Sequence, residues 1–245
     1  MPEMRIAMWS GPRNISTALL RAWENRADTV VVDEPFYAYY LARTGIPHPG
    51  AEEVIAAGET DWRKVSASLT GPIPHARPIF YQKQMTHHLL PEIARDWLDR
   101  VINCFLIRDP AEVIVSYARK NDDPLDDDIG FARQAEIFDW VCDRAGKIPP
   151  VIDARDVLEN PEGMLRALCR EIGAPFDPAM LAWPPGLRES DGIWAKHWYG
   201  EVAKSTGFTR PRGERAKIPE RYREIDVRSR VHYDRLAQFR LTAPH

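Results

Sequence analysis

Arg5-Ile-Ala-Met-Trp-Ser-Gly-Pro-Arg-Asn-Ile-Ser-Thr17 is the stretch that decides the fold. Arg5–Trp9 is a short apolar run and Ser10–Asn14 has turn chemistry; Ile15, Leu19, Leu20 and Trp23 then fall at helical spacing. The segment is therefore strand, loop, helix. Such a loop puts the amino end of a helix, with its unpaired N–H groups and positive dipole, beside the carboxyl end of a strand, where an anion is held well. Gly11 permits close backbone approach, Pro12 and Asn14 shape the turn, Arg13 adds a fixed charge, and Ser16 and Thr17 add hydroxyls. The same residues also suit an ordinary turn capped by Asn14 or Ser16. A nucleotide loop of the form G-x-x-x-x-G-K-[ST] is absent. Counted from Gly11, its second Gly is Ser16, its Lys is Thr17 and its Ser/Thr is Ala18.

Working outward, apolar runs alternate with helical patterns. Strands are expected at Thr29–Asp33, Ile79–Gln82, Val101–Ile107 and Val151–Asp153. Helices are expected at Phe36–Leu41, Leu89–Asp99, Ala111–Lys120, Phe131–Ala145, Glu162–Ile172 and Val227–Phe239. Val101–Ile107 lacks polar alternation, as a strand covered on both faces should. Residues 43–78 are a Pro- and Gly-rich, partly helical excursion, Asn121–Asp128 an acidic loop, and the tail from Ala174 irregular. Alternating strands and helices imply an α/β fold, a parallel sheet with helices on both faces, whose ligands sit at the carboxyl ends of its strands.

Length and charge narrow the classes further. The 245 residues suit one domain, and no repeat or linker divides them. The net charge is -3, unevenly spread: residues 201–245 hold 11 Lys and Arg against 6 Asp and Glu, a balance of +5 over an acidic body. That pattern points to a local anion site, not to a nucleic-acid coat. The 21 prolines are scattered as loop punctuation. The three cysteines lack CxxC spacing, which disfavours a disulfide framework and a zinc site. The opening residues are too short and polar for a signal peptide, and no apolar run approaches the roughly 20 residues of a membrane helix. A cytoplasmic protein with neither membrane nor nucleic-acid partners is expected.

A second motif, Ile107-Arg-Asp-Pro-Ala-Glu-Val-Ile-Val-Ser116, follows the strongest strand. Arg108 sits at the strand end and Ser116 two turns into the next helix. A strand followed by RDPxxVxxS, paired with the first loop, resembles the nucleotide-binding pair of the sulfotransferases that use 3'-phosphoadenosine 5'-phosphosulfate (PAPS). The resemblance covers roughly residues 5–25 and 79–120 and implies a three-layer P-loop-type fold. It also implies that the first loop, through Gly11, Pro12, Arg13, Asn14, Ser16 and Thr17, holds the phosphosulfate, while Arg108 and Ser116 hold the 3'-phosphate. Where that family often has Gly, this chain has Ile15, a branched side chain that must either crowd the ligand or turn into the core.

Tyr81-Gln-Lys-Gln-Met-Thr-His-His-Leu-Leu-Pro91 resembles the family segment that supplies a catalytic base. Here His87 and His88 are both candidates, with His88 directly before Leu89; both also fit as residues opening the expected helix. Transfer of a sulfuryl group needs a proton acceptor for the attacking hydroxyl, suited to neutral imidazole, and positive charge near the leaving phosphate, for which Lys83 and Arg13 are candidates. Phe208-Thr-Arg-Pro-Arg-Gly213 loosely resembles the family element that closes over the nucleotide. This makes Arg210 and Arg212 candidates and the segment 201–245 a candidate lid. The resemblance thus implies PAPS as donor, 3',5'-diphosphoadenosine (PAP) as product, a small hydroxyl or amine acceptor, and no metal. Two other readings stay open. Val30-Val-Val-Asp-Glu34 suits the magnesium strand of a kinase or NTPase with a degenerate loop, and the chain also fits a non-catalytic nucleotide-binding protein.

Overall fold

A computed structural model of the protein describes residues 2–119, 124–211 and 216–243. In chain order the elements are β1 (Met4–Ser10), α1 (Ser16–Glu24), β2 (Thr29–Asp33), α2 (Tyr37–Thr44), α3 (Ala51–Ala57), α4 (Trp62–Thr70), β3 (Ile79–Met85), β4 (Ile102–Ile107), α5 (Pro110–Tyr117), α6 (Asp126–Ile129), α7 (Phe131–Ala145), β5 (Val151–Asp153), α8 (Ala154–Glu159), α9 (Pro161–Ile172), α10 (Ala195–Trp198) and α11 (Arg223–Ala237). The five strands form one sheet in the order β2-β3-β1-β4-β5, and every pairing is parallel. The α/β architecture with both sheet faces covered is therefore present.

The reason is visible in the period-2 distribution of β1. Met4, Ile6 and Met8 enter one core with Leu19, Trp23 and Leu165 of α1 and α9. Ala7 and Trp9 enter the other with Leu69 and Phe138 of α4 and α7. β4 divides the same way, Cys104 and Leu106 against Phe105 and Ile107. A strand buried on both faces reads as a near-continuous apolar run, and burying each large apolar side chain contributes about 1.5–3 kcal/mol. The register aligns Asp33 with Lys83, Ser10 with Met85 and Leu106, and Ile107 with Asp153. All carboxyl ends therefore open onto one rim.

Several boundaries differ from expectation. β3 runs three residues past Gln82, to Met85, because Gln82, Lys83 and Gln84 are buried polar residues inside the sheet. The helix expected over Leu89–Asp99 is replaced by short 3-10 turns at Thr86–His88 and Asp96–Arg100. Pro91 accounts for this, since it biases Leu90 away from helical backbone. The helix after Pro110 ends at Tyr117, and part of the expected acidic loop is α6, while residues 120–123 lie outside the described residues. α11 begins four residues before Val227, and α8 was not anticipated; Asp153 caps it, accepting from the Arg155 backbone N–H at 2.7 Å. No described helix is long and apolar enough to cross a membrane.

Candidate functional site

The rim surrounds a cavity of about 510 Å³ whose walls come from the first loop, the ends of β2, β3 and β4, and residues 198–209. The first loop is tied to the sheet where Asn14 Nδ2 donates to the Leu106 carbonyl at 3.4 Å. Arg13 and Ile15 both adopt left-handed backbone, with φ of 61° and 56°. Such conformations cost of order 1–3 kcal/mol outside glycine and persist where the surroundings impose them. Ile15 packs its side chain against the core around α1 while its backbone forms the helix N-cap. The branched side chain is thus half-buried against the core, and Ile15 also lines the cavity. Neither Asn14 nor Ser16 caps α1, which has no side-chain cap, and Ser16 and Thr17 of its first turn line the cavity. Gly11 serves another purpose. A Cβ there would stand 2.6 Å from the Ile129 carbonyl oxygen. Gly11→Ala should therefore destabilise the protein by about 1–3 kcal/mol, measured as a fall in the urea midpoint.

Arg13 and Arg108 are joined across this end. Arg13 Nε donates to Ser116 Oγ at 3.0 Å, and Arg108 Nη1 donates to the Arg13 carbonyl at 2.6 Å. Arg108 is oriented by Glu112, 3.0 Å from its Nε, and Arg155 holds the other oxygen of that carboxylate at 2.6 Å. Burial, then the neighbouring Arg108 and Arg119, push the Arg13 guanidinium below its ordinary value. A cation lowered by other cations marks a field that favours an incoming anion.

Lys83 lies inside β3. Its Nζ donates to Asp33 Oδ1 at 2.7 Å, Glu34 Oε1 at 2.6 Å and the Tyr199 hydroxyl at 2.7 Å. Despite burial, Asp33 and Glu34 raise its pKa well above the usual lysine range. Tyr199 in turn donates to Asp33 Oδ2. Both Asp33 oxygens are thereby engaged. Glu34 holds a φ of 44° that brings it onto the cavity wall.

His87 and His88 stand on the 3-10 turn after β3, and both line the cavity. The His88 ring stacks on Tyr37, with centroids 4.8 Å apart, and on Tyr40 at 4.7 Å. His87 meets Tyr40 and His88 edge-on, at 5.4 and 4.4 Å. Burial, followed by nearby titratable groups, holds both imidazoles well below the ordinary histidine range, so both are neutral at pH 7. Each Nδ1 is buried without a hydrogen-bond partner among the described residues.

The cavity thus gathers Pro12, Arg13, Asn14, Ser16 and Thr17 with Lys83, the two histidines, Arg108 and Ser116. Arg210 is exposed and outside the lining, and Arg212 lies outside the described residues. Basic residues of the tail instead pair with the acidic body: Arg228 with Asp126, Arg230 with Asp109, Arg235 with Asp139 and Arg240 with Asp156, at 2.8–3.3 Å. Tyr37, Tyr40, His48, Trp198 and Tyr199 also line the cavity, and none of them was assigned to the site from the sequence. The pair Tyr37 and Tyr40, one helical turn apart just beyond a strand end, was the signal available for the first two.

A family model described as sulfotransferase domain matches residues 4–235. Two curated proteins of Arabidopsis thaliana, branched-chain-amino-acid aminotransferase-like proteins 1 and 2, are 33% and 31% identical over 233 residues, 95% of this chain. The chain spans only 41% and 39% of their lengths. The solved structure of a sulfotransferase from Alicyclobacillus acidocaldarius aligns with a TM-score of 0.51 at 12% identity, covering 74% of this chain and 89% of that one, a likeness of fold.

Proposed function

The chain belongs to the sulfotransferase domain family, and from that premise we propose that it transfers a sulfuryl group from PAPS to the hydroxyl of a small acceptor. The observation that carries this reading is the uncapped amino end of α1 set beside Arg13 and Arg108, on the same cavity as two neutral histidines. On this reading the acceptor oxygen attacks sulfur and the bond from sulfur to the bridging phosphate oxygen breaks. The electron pair leaves on the 5'-phosphate of PAP, and the hydroxyl proton passes to imidazole. Arg13 and the α1 N–H groups stabilise charge on the leaving phosphate. Arg108 and Ser116 hold the 3'-phosphate, which distinguishes this donor from ATP.

Calorimetry tests the assignment. PAP should bind without magnesium, whereas tight binding of Mg-ATP with no binding of PAP would overturn it. Arg108→Ala should weaken PAP by about 10- to 100-fold, the range for a charge-assisted hydrogen bond. It should weaken adenosine 5'-phosphosulfate, which lacks the 3'-phosphate, much less. Equal losses for the two ligands would remove Arg108 from that role.

A further inference from the structure

The cavity is electrically two-ended. Arg13 and Arg108 occupy the end at β1 and β4, where the two guanidiniums outnumber the one lining carboxylate that acts on Arg13, Glu201. The end at β2 and β3 has an aromatic wall and two carboxylates, Glu34 and Asp128. Both carboxylates act on the His48 ring. Burial and then Asp128 push the Tyr40 phenol up to about 12. Burial and then Glu34 push Tyr37 up as well. These phenols therefore stay neutral and leave the negative field at that end intact. Lys83, which also lines the cavity, does not reverse the sign. It is bonded to Asp33 as well as Glu34, so the trio contains two carboxylates and one ammonium. Tyr37 and His48 are joined by a 2.8 Å hydrogen bond, and His48 lies 6.1 Å from the Trp198 ring. The buried, unpartnered Nδ1 of His88 belongs to the same wall.

We propose that this end selects as acceptor a small alcohol carrying a positively charged nitrogen, an amino alcohol or its quaternary ammonium form. Aromatic walls combined with carboxylates attract such cations through ring quadrupole and charge. The charge also keeps the acceptor out of the arginine end, which would repel it. The nucleophile is the hydroxyl, since a protonated or quaternary nitrogen has no free electron pair to attack sulfur. The cationic nitrogen serves as the handle that orients the hydroxyl toward the histidines.

This inference rests on the sulfotransferase reading, and its test separates the two. The protein is loaded with PAP and titrated calorimetrically with choline and with 3,3-dimethyl-1-butanol, which replaces the charged nitrogen by carbon at nearly the same shape. Choline should bind tighter by on the order of 30-fold. Glu34→Gln should reduce that ratio several-fold, and Asp128→Asn gives an independent variant in case loss of the Lys83 pairing unfolds the first. PAP affinity should be unchanged in Asp128→Asn. Failure of the protein to bind PAP would sink the donor reading. Normal PAP binding with equal affinity for the two alcohols, or with no binding of choline at about 10 mM, would overturn the acceptor proposal alone.

Discussion

His88→Asn should lower kcat by about 10²- to 10⁴-fold, the usual contribution of a positioned general base, and leave PAP affinity unchanged. His88 is only 2% exposed and is clamped between Tyr37 and Tyr40, so the ring is fixed in orientation. Burial, then Lys83 and His48, hold it well below the histidine range. A lowered pKa keeps the imidazole neutral further into acid. The acid limb of the kcat profile should therefore fall below the ordinary histidine value of about 6.5, and His88→Asn should abolish that limb. His87→Asn, which removes a ring that only abuts the others edge-on, should cost less. A larger loss in His87→Asn would transfer the base to that residue, and unchanged kcat in both variants would remove imidazole from the mechanism.

Lys83→Met should destabilise the protein by about 3–5 kcal/mol, the cost of stranding buried charge. Nζ is bonded to two carboxylates and a phenol. Without it, Asp33 at 5% exposure and Glu34 would face each other unneutralised. The sign of the pH dependence follows. Burial already holds the Asp33 carboxyl above its ordinary value, and loss of the Lys83 ammonium raises it further, so protonation favours the folded form and the deficit relative to the parent should shrink as pH falls toward 4. Urea denaturation at pH 7 and at acid pH measures both statements, and Asp33→Asn in the Lys83→Met background should recover part of the loss. A deficit below about 1 kcal/mol, the scale of a surface pair, would show that the cluster does not hold the fold.

The two predictions differ in how far the sequence announced them. Strands such as Val101–Ile107 and helices such as Phe131–Ala145 were legible because burial on both sheet faces, or on one helix face, writes a period into neighbouring residues. The cationic end was legible for a similar reason: Arg13, Ser16 and Thr17 fall within five residues, Arg108 and Ser116 within nine, and each set follows a strand. Lys83 looked like a rim residue because a polar run normally ends a strand. Only partners 49 to 116 residues away explain how a lysine stays inside one. The Leu89–Asp99 helix was an error of the opposite kind, an apolar period overruled by Pro91. Residues 198–209 left no local pattern, because their contribution is made entirely by contacts distant in sequence.

The Tyr199 hydroxyl bonds Asp33 across 166 residues and Lys83 across 116, and Arg21 reaches Asp191 across 170. This has a consequence for the order of assembly. A nascent chain can pair β1 with β3 and β4, and so align the first loop with Arg108, before residue 199 has been made. The lysine in β3 must wait for its phenol. Contacts of such separation are slow to form, so the cationic end should take shape first and the aromatic wall close late, with Asp33, Glu34 and Lys83 sealed from water only in the final step. Pulse-labelling hydrogen exchange during refolding would record that sequence as early protection in β1 and β4 and late protection in residues 195–203.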